Sequence, residues 1–575
     1  MKTRNIIIGF LLITFSILAV SFTIASSYNE VKHEYGATSY VLESDTDEYR
    51  SWEKTFSLED TSNVTIQPGN DDNDLNFSWY SVSSKAPAVV ISRYYDFSHS
   101  KTFTGTITNI NRTNGKINYY AANHVSVNDY FKSNTVYYYK YTNDIKASEV
   151  EFSASYKYKT TANDTITAIA IGDAQIGASG WASSDAFYYE KMLNKAYECI
   201  PDASLILSAG DQIDYKTDNN DNGLRETQYA GLLHPDLVRS IPFVPTIGNH
   251  DTKGHDYSYH FNTPNSDLKY GKTNSGSDYY FRRGDALFIV LNSNNRKKSK
   301  HNALLKLATK ENADAKWRIV IFHHDIYGTG DVHSNRTSAN MRIIFAPLMD
   351  KYNIDLVLNG HDHCYSRSCS MLNGTAITAK SNHLINPVGT TYITLGSSSG
   401  SKMYNLADPK QHYIAERSNT VIPTFSKLTI TKGTLSISTY DLDGKKYADD
   451  FSITKTINKT DELAFYKAAL NKKAKKFTKK SYQKLVNKIE AFDNEFLYCD
   501  PSNDRGADEV ARLYNTDLDP LSYYGYSIET NDALKDGYSS LLDKTRVDCP
   551  MMTQAKFKKM RKQIIKATNN LKKKK

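Results

Sequence analysis

The chain has 575 residues, a length that accommodates roughly three or four domains, and 40% of them are hydrophobic, ample for globular cores. Its formal net charge of +8 is modest for that length and gives no ground for a specific nucleic-acid partner. The sequence holds no Gly-x-x-x-x-Gly-Lys-Ser/Thr phosphate loop and no Cys-x-x-Cys zinc pattern, which removes two common function classes.

Residues 1–27 open with a basic Met1-Lys2-Thr3-Arg4 and continue as an apolar run from Ile6 to Ala25. This reads as a secretory signal peptide or an uncleaved N-terminal anchor. Either way the protein is expected outside the cytoplasm, secreted or at the cell surface. Residues 50–160 then read as β structure. Short Thr/Val/Tyr-rich runs at 64–67, 75–82, 88–95, 101–109, 136–141 and 150–158 are separated by polar turns, which suggests a small antiparallel sandwich. The tyrosines fit ordinary strand aromatics, with a carbohydrate-binding face as the alternative.

From Ile166 apolar strands alternate with amphipathic helical patterns at 183–200, 224–239, 302–312 and 338–352, the signature of an α/β domain over 165–445. Five strands end in ligand-type residues. Thr167–Ile171 leads to Gly172-Asp173-Ala174-Gln175, and Leu205–Ala209 leads to Gly210-Asp211-Gln212-Ile213-Asp214-Tyr215. Phe243–Ile247 leads to Gly248-Asn249-His250-Asp251, and Arg318–Phe322 leads to His323-His324-Asp325. Leu356–Leu358 leads to Asn359-Gly360-His361-Asp362-His363. On extended backbone, residues i and i+2 point the same way, so His361 and His363 can serve one centre or two adjacent ones. Open α/β sheets place ligands at the carboxyl ends of their strands. A carboxylate, amide and imidazole donor set suits Zn, Mn or Fe better than Ca or a thiolate-bound metal.

Thr390–Leu395, Phe425–Thr431 and Thr434–Asp441 read as further strands, the last two expected to close a second sheet. Residues 460–575 become Lys-rich and helical, with apolar positions such as Leu463, Tyr466, Leu485, Ile489 and Phe492, and end in four lysines. The lysine tail reads as solvated, with contact to anionic wall polymers or lipid as the alternative. Of the five cysteines, Cys364 and Cys369 flank the histidine motif, Cys499 and Cys549 share one late segment, and Cys199 is expected as a buried thiol on a helix.

The ordered blocks Gly-Asp, Gly-Asp, Gly-Asn-His-Asp, His and Gly-His-x-His resemble the calcineurin-like metallophosphoesterases. The run Gly360-His361-Asp362-His363-Cys364-Tyr365-Ser366-Arg367, and His323 with Tyr327 four residues on, lean toward the purple acid phosphatase-like branch. The resemblance implies a two-sheet α/β sandwich preceded by a fibronectin-like β-sandwich. It implies two divalent or trivalent cations (Fe, Zn or Mn) bridged by Asp211. Asp173 and His363 would hold the first, and Asn249, His323 and His361 the second. It also implies a phosphate-contacting His250, oriented by Asp251, and a substrate-contacting His333. Arg367 fits either a phosphate oxygen or a structural carboxylate. Around Phe477–Tyr482 the helical region resembles the FIVAR-type modules of Gram-positive surface proteins.

Two blocks depart from the pattern. Gln175 stands where the wider family has a histidine ligand, and it either ligates or holds a water. Asp214 stands where purple enzymes carry a ligating tyrosine. Tyr215 is one residue displaced and faces the other way. The implied activity is a binuclear phosphohydrolase acting on a small phosphate ester, most simply a phosphomonoesterase. The alternatives are a phosphodiesterase or nucleotidase, or a non-catalytic surface adhesion protein held to membrane or wall by the N-terminal segment or the lysine tail. The serine run Gly396–Gly400 formally matches Gly-x-Ser-x-Gly, but no helical pattern follows it, so it reads as a loop.

Overall fold

A computed structural model describes residues 28–32, 37–42, 46–162, 164–215, 222–455 apart from a few internal positions, 477–496, and scattered positions between 559 and 572. The expected leader over 1–27, Cys499, Cys549 and most of the Lys-rich region over 460–575 lie outside the described residues. Among the described residues no helix is long and apolar enough to cross a membrane.

The first layered unit is a pair of four-stranded antiparallel sheets. One runs in the order 65–68, 75–81, 117–127, 106–114, and the other 156–159, 136–142, 88–92, 101–104. Phe77 and Trp79 of one face meet Val89, Ile91, Tyr137, Tyr139 and Tyr158 of the other in a buried cluster. Two details differ from the sequence reading. The run at 101–109 is two strands in different sheets, divided at Gly105, where a Cβ would lie 2.2 Å from the His124 carbonyl oxygen. The strand Ile117–Val127 escapes detection because polar Asn123 and His124 interrupt its apolar pattern. Asn123 is nevertheless buried, its amide donating to Ser81 Oγ at 3.0 Å.

The second unit stacks two seven-stranded sheets with helices outside. In one sheet Phe243–Val244, Leu205–Ser208 and Thr165–Ile171 run parallel. Thr424–Thr431 then pairs antiparallel with Thr165–Ile171, and Thr434–Asp441 follows it. These last two strands therefore extend the first sheet rather than closing the second. In the other sheet Ala286–Val290, Trp317–Ile321, Leu356–Asn359 and Thr391–Thr394 are all parallel neighbours.

Period-two alternation assigns each strand two buried faces. Ile166, Ala168 and Ala170 face the inter-sheet core with Ile319, Ile321, Leu356 and Leu358. Ile169 and Ile171 face helix Ala182–Cys199, and Val320 and Val357 face helices Lys298–Glu311 and Arg336–Lys351. Three of the four expected helices fall where the amphipathic patterns place them, with ends shifted by a few residues, while the pattern at 224–239 divides into the helix Asn222–Leu233 and a 3-10 turn Asp236–Arg239. Cys199, expected buried, is exposed at the last turn of its helix.

The β-sandwich packs beneath the segment that follows His250. Ser78 Oγ donates to the His260 carbonyl at 2.6 Å, Tyr80 stacks on the His260 ring at 4.0 Å, and Tyr139 Oη donates to the Arg239 carbonyl at 2.8 Å.

Trp317 ties the two seven-stranded sheets together. It is fully buried in their shared core and donates from Nε1 to the Thr431 carbonyl at 2.8 Å. Trp317→Ala is expected to cost about 3–5 kcal/mol, through the cavity and the unpaired carbonyl. Guanidinium unfolding of the full chain measures this, and a cost below about 1 kcal/mol contradicts the assigned core.

Candidate metal centre

The strand ends of both sheets meet at one edge of the sandwich, and the side chains they deliver converge. Two groups of ligand atoms each fall within 4.8 Å: Asp211, His323 and His361 in one, Asp173, Asp211 and His363 in the other. Asp211 belongs to both, and every member is buried. Asn249 joins the group that holds His323 and His361, with its Oδ1 2.9 Å from His323 Nε2. The six positions expected as metal ligands are thus gathered in one place.

The local backbone is unusual. Asp173, Gln175, Asp211, His361 and His363 all have positive φ, between 35° and 70°. This left-handed region costs roughly 1–2 kcal/mol for a residue with a Cβ, and such strain gathers at functional sites. The neighbouring glycines are required by close approach. A Cβ on Gly248 would lie 2.0 Å from Asp211 Oδ1, and one on Gly360 would lie 2.5 Å from Asp173 Oδ2.

Hydrogen bonds aim the ligands. The His361 amide donates to Asp173 Oδ1 at 2.9 Å, and the His250 amide donates to Asp211 Oδ1 at 2.8 Å. Nδ1 of His323 lies 3.0 Å from the Ala209 carbonyl, and Nδ1 of His363 faces the Lys402 carbonyl. A carbonyl only accepts, so the proton sits on each Nδ1 and each Nε2 lone pair turns inward.

The serine run missed as a functional element braces the Asp173 turn. Ser397 Oγ donates to the Asp173 carbonyl at 2.9 Å, and Ser399 and Ser401 hydroxyls donate to the Ala174 carbonyl at 2.5 and 3.3 Å. Gly396–Gly400 is therefore a hydroxyl scaffold and not a nucleophile elbow.

The residues present fit a pair of cations. Around His323, Asn249 Oδ1, Asp211 Oδ2 and His361 Nδ1 lie 2.9, 3.3 and 3.1 Å from its Nε2. Lone-pair carriers pressed together need a cation or a proton between them. Burial pushes the Asp173 carboxyl well above its usual range. Burial also disfavours charge on Asp211 and on His323. Their mutual attraction overcomes it, holding Asp211 below the usual carboxylate range and raising His323 to about 9. His361 is driven well below its ordinary value by burial and His363 to about 3, so both rings stay neutral and able to ligate.

The expected catalytic residues are placed as follows. His250 lies at the rim of the cluster, with Nε2 3.9 Å from Asp211 Oδ2. The group facing its Nδ1 is Asp214, through the backbone carbonyl and a carboxylate oxygen at 3.3 Å. This corrects the orienting role expected of Asp251. Asp251 accepts the Gly248 amide at 2.8 Å and the Gln212 amide at 3.1 Å, and so shapes the turn that presents Asn249. Adjacency in sequence misleads here because the 250–252 segment is a 3-10 turn that sends successive side chains to different sides. His333 packs against His361 with ring centroids 3.9 Å apart, and burial pulls its pKa down to about 4. Its loop is held by Asp362, which accepts the Thr329 and Gly330 amides and the Ser334 hydroxyl. His324 lies beside His361 at 4.7 Å and meets Ser293 Oγ. Arg367 takes the structural option, bonding the Ser381 carbonyl, Asn382 and Glu416.

Tyr404 was not foreseen from the sequence. Its ring lies 5.2 Å from His363 and 4.9 Å from His333, walling one side of the cluster. Tyr404 stands about forty positions beyond the histidine motif, and no local pattern marks it.

Comparison with known proteins agrees with this geometry. Residues 166–365 match the calcineurin-like phosphoesterase family model. Purple acid phosphatase 1 of Ipomoea batatas is 29% identical over 206 residues, covering 34% of this chain and 39% of that protein. Purple acid phosphatase 18 of Arabidopsis thaliana is 26% identical over 275 residues, covering 46% of this chain and 55% of that one. The matched region is thus well under two thirds of either relative's length. The structure of a purple acid phosphatase from yellow lupin seeds superposes with a TM-score of 0.55 at 14% identity, covering 68% of this chain and 75% of that one, a likeness of fold. Over residues 166–365 the chain is thus similar to calcineurin-like phosphoesterases, and purple acid phosphatases are among the proteins it resembles.

Proposed function

We propose that the protein is a binuclear metal-dependent phosphohydrolase acting on small phosphate monoesters, and that it works outside the cytoplasm. The observation that carries the catalytic reading is Asp211, the one carboxylate common to both ligand groups. Two cations set close together repel unless an anion lies between them, and a buried carboxylate reached from both sides supplies that anion. The extracytoplasmic setting is supported by the basic start and apolar run of residues 1–25.

Bound there, the cations supply Lewis acidity toward a phosphoryl oxygen and make water a competent nucleophile near neutral pH. The chain supplies the rest. Asn249 contributes an oxygen without further negative charge, which preserves electrophilicity on its side of the cluster. His333, kept neutral by burial, packs its ring against His361 and can offer a ring N–H to a phosphoryl oxygen. His250, with Nδ1–H held by the Asp214 carbonyl, has Nε2 as its working atom. A proton carried on Nε2 passes to the departing alkoxide as the ester bond breaks. Tyr404 packs its ring on His333 and His363 and so helps fix the position of both imidazoles.

Purified full-length protein is expected to cleave a chromogenic phosphate monoester, to lose turnover with chelator and to regain it with Zn, Mn or Fe. Asp211→Asn is expected to reduce kcat/KM by on the order of a thousandfold, equivalent to about 4 kcal/mol. Unchanged turnover in that variant refutes the bridging role. His250→Ala is expected to cost roughly a hundred- to ten-thousandfold in kcat with retained cation content. The loss should shrink for esters with acidic leaving groups, and an equal loss for all leaving groups contradicts a proton-donating His250.

A further inference from the structure

We infer that Gln175 is a direct ligand of the first cation, completing the set Asp173, Asp211 and His363. The inference rests on the binuclear reading above. Gln175 is fully buried and lies two residues beyond Asp173 on the same left-handed turn. Its backbone N–H donates to the Asp211 carbonyl at 2.8 Å, which ties the turn carrying Asp173 and Gln175 to the turn carrying Asp211.

Its side-chain orientation is fixed by chemistry. Nε2 lies 2.8 Å from Asp214 Oδ1 and 3.0 Å from His250 Nε2. Asp214 as a carboxylate only accepts, so the amide nitrogen of Gln175 faces it. The reverse amide orientation would press oxygen against oxygen. Oε1 must face the other way. It is buried and meets no hydrogen-bond donor among the described residues. A buried carbonyl without a donor costs about 1–3 kcal/mol, and a cation held by the adjoining Asp173 and Asp211 removes that cost.

The assignment makes the two halves of the centre alike. Each cation receives one amide oxygen, Gln175 on one side and Asn249 on the other, beside the shared Asp211. The halves differ in charge, because Asp173 gives the first a second carboxylate and the second relies on two imidazoles. Asp214 then acts through Gln175 and His250 instead of binding a cation itself.

Co2+ titration of metal-stripped full-length protein, followed by visible absorption, tests the assignment without reference to activity. The parent is expected to bind two Co2+ per chain. Gln175→Leu is expected to weaken one of them by about tenfold or more and to change its absorption band while the other stays as it was. Gln175→His restores a donor atom and is expected to bind both again, with a band altered by the new nitrogen. Fewer than two Co2+ in the parent would overturn the binuclear reading itself. Two Co2+ in the parent, with affinities and spectrum unchanged in the Leu variant, would overturn the role of Gln175 alone. Should the Leu variant not fold, an unaltered spectrum in the His variant overturns it equally.

Discussion

The structure depends on keeping two carboxylates, Asp173 and Asp211, fully buried within one small cluster. Like charges out of water repel, and burial drives Asp173 toward its protonated form while the His323 ring beside Asp211 keeps that carboxylate ionised. The chain answers with neutral imidazoles, amide oxygens and backbone N–H groups turned inward. That environment is poor for a hydrophobic core and good for a pair of cations. The stacked sheets provide the rigidity to hold it.

Rigidity is needed because the ligand turns are strained. Five residues of the cluster or its immediate turns adopt left-handed backbone without being glycine. Strain of this kind persists only where surroundings over-determine it. The inter-sheet core fixes the strand ends from below, the 397–401 hydroxyls pin the Asp173 turn, and Asp251 closes the Asn249 turn. The β-sandwich braces the next segment through His260. The site is thus assembled from parts of the chain more than 200 positions apart, and each supporting contact is a hydrogen bond to backbone or a packed ring.

The legible part of this architecture was local. Each ligand sits within a few residues of an apolar strand, so the alternation of buried strands and amphipathic helices exposed the five strand-end blocks, and the family resemblance singled out Asp173, Asp211, Asn249, His323, His361 and His363 within them. What escaped the sequence was set by contacts at long separation. Tyr404 and the serine scaffold reach the centre through a loop that carries no ligand. The group facing His250 Nδ1 is Asp214, thirty-six positions earlier, and not the adjacent Asp251, which is turned back onto the Gly248 and Gln212 amides. Strands such as Ile117–Val127 hid behind buried polar residues whose partners lie on other strands. The strand Thr424–Thr431 was visible as a strand, but its pairing with Thr165–Ile171 depends on the return path of the chain.

The central claim is that one shared acidic side chain sits between two cations. Anomalous X-ray scattering from crystals of the full-length protein equilibrated with Mn2+ tests it most directly. The account predicts two scattering centres roughly 3.5–4 Å apart, with a carboxylate oxygen of Asp211 within bonding distance of both. A single centre, or a pair with Asp211 bound to only one of them, would contradict it.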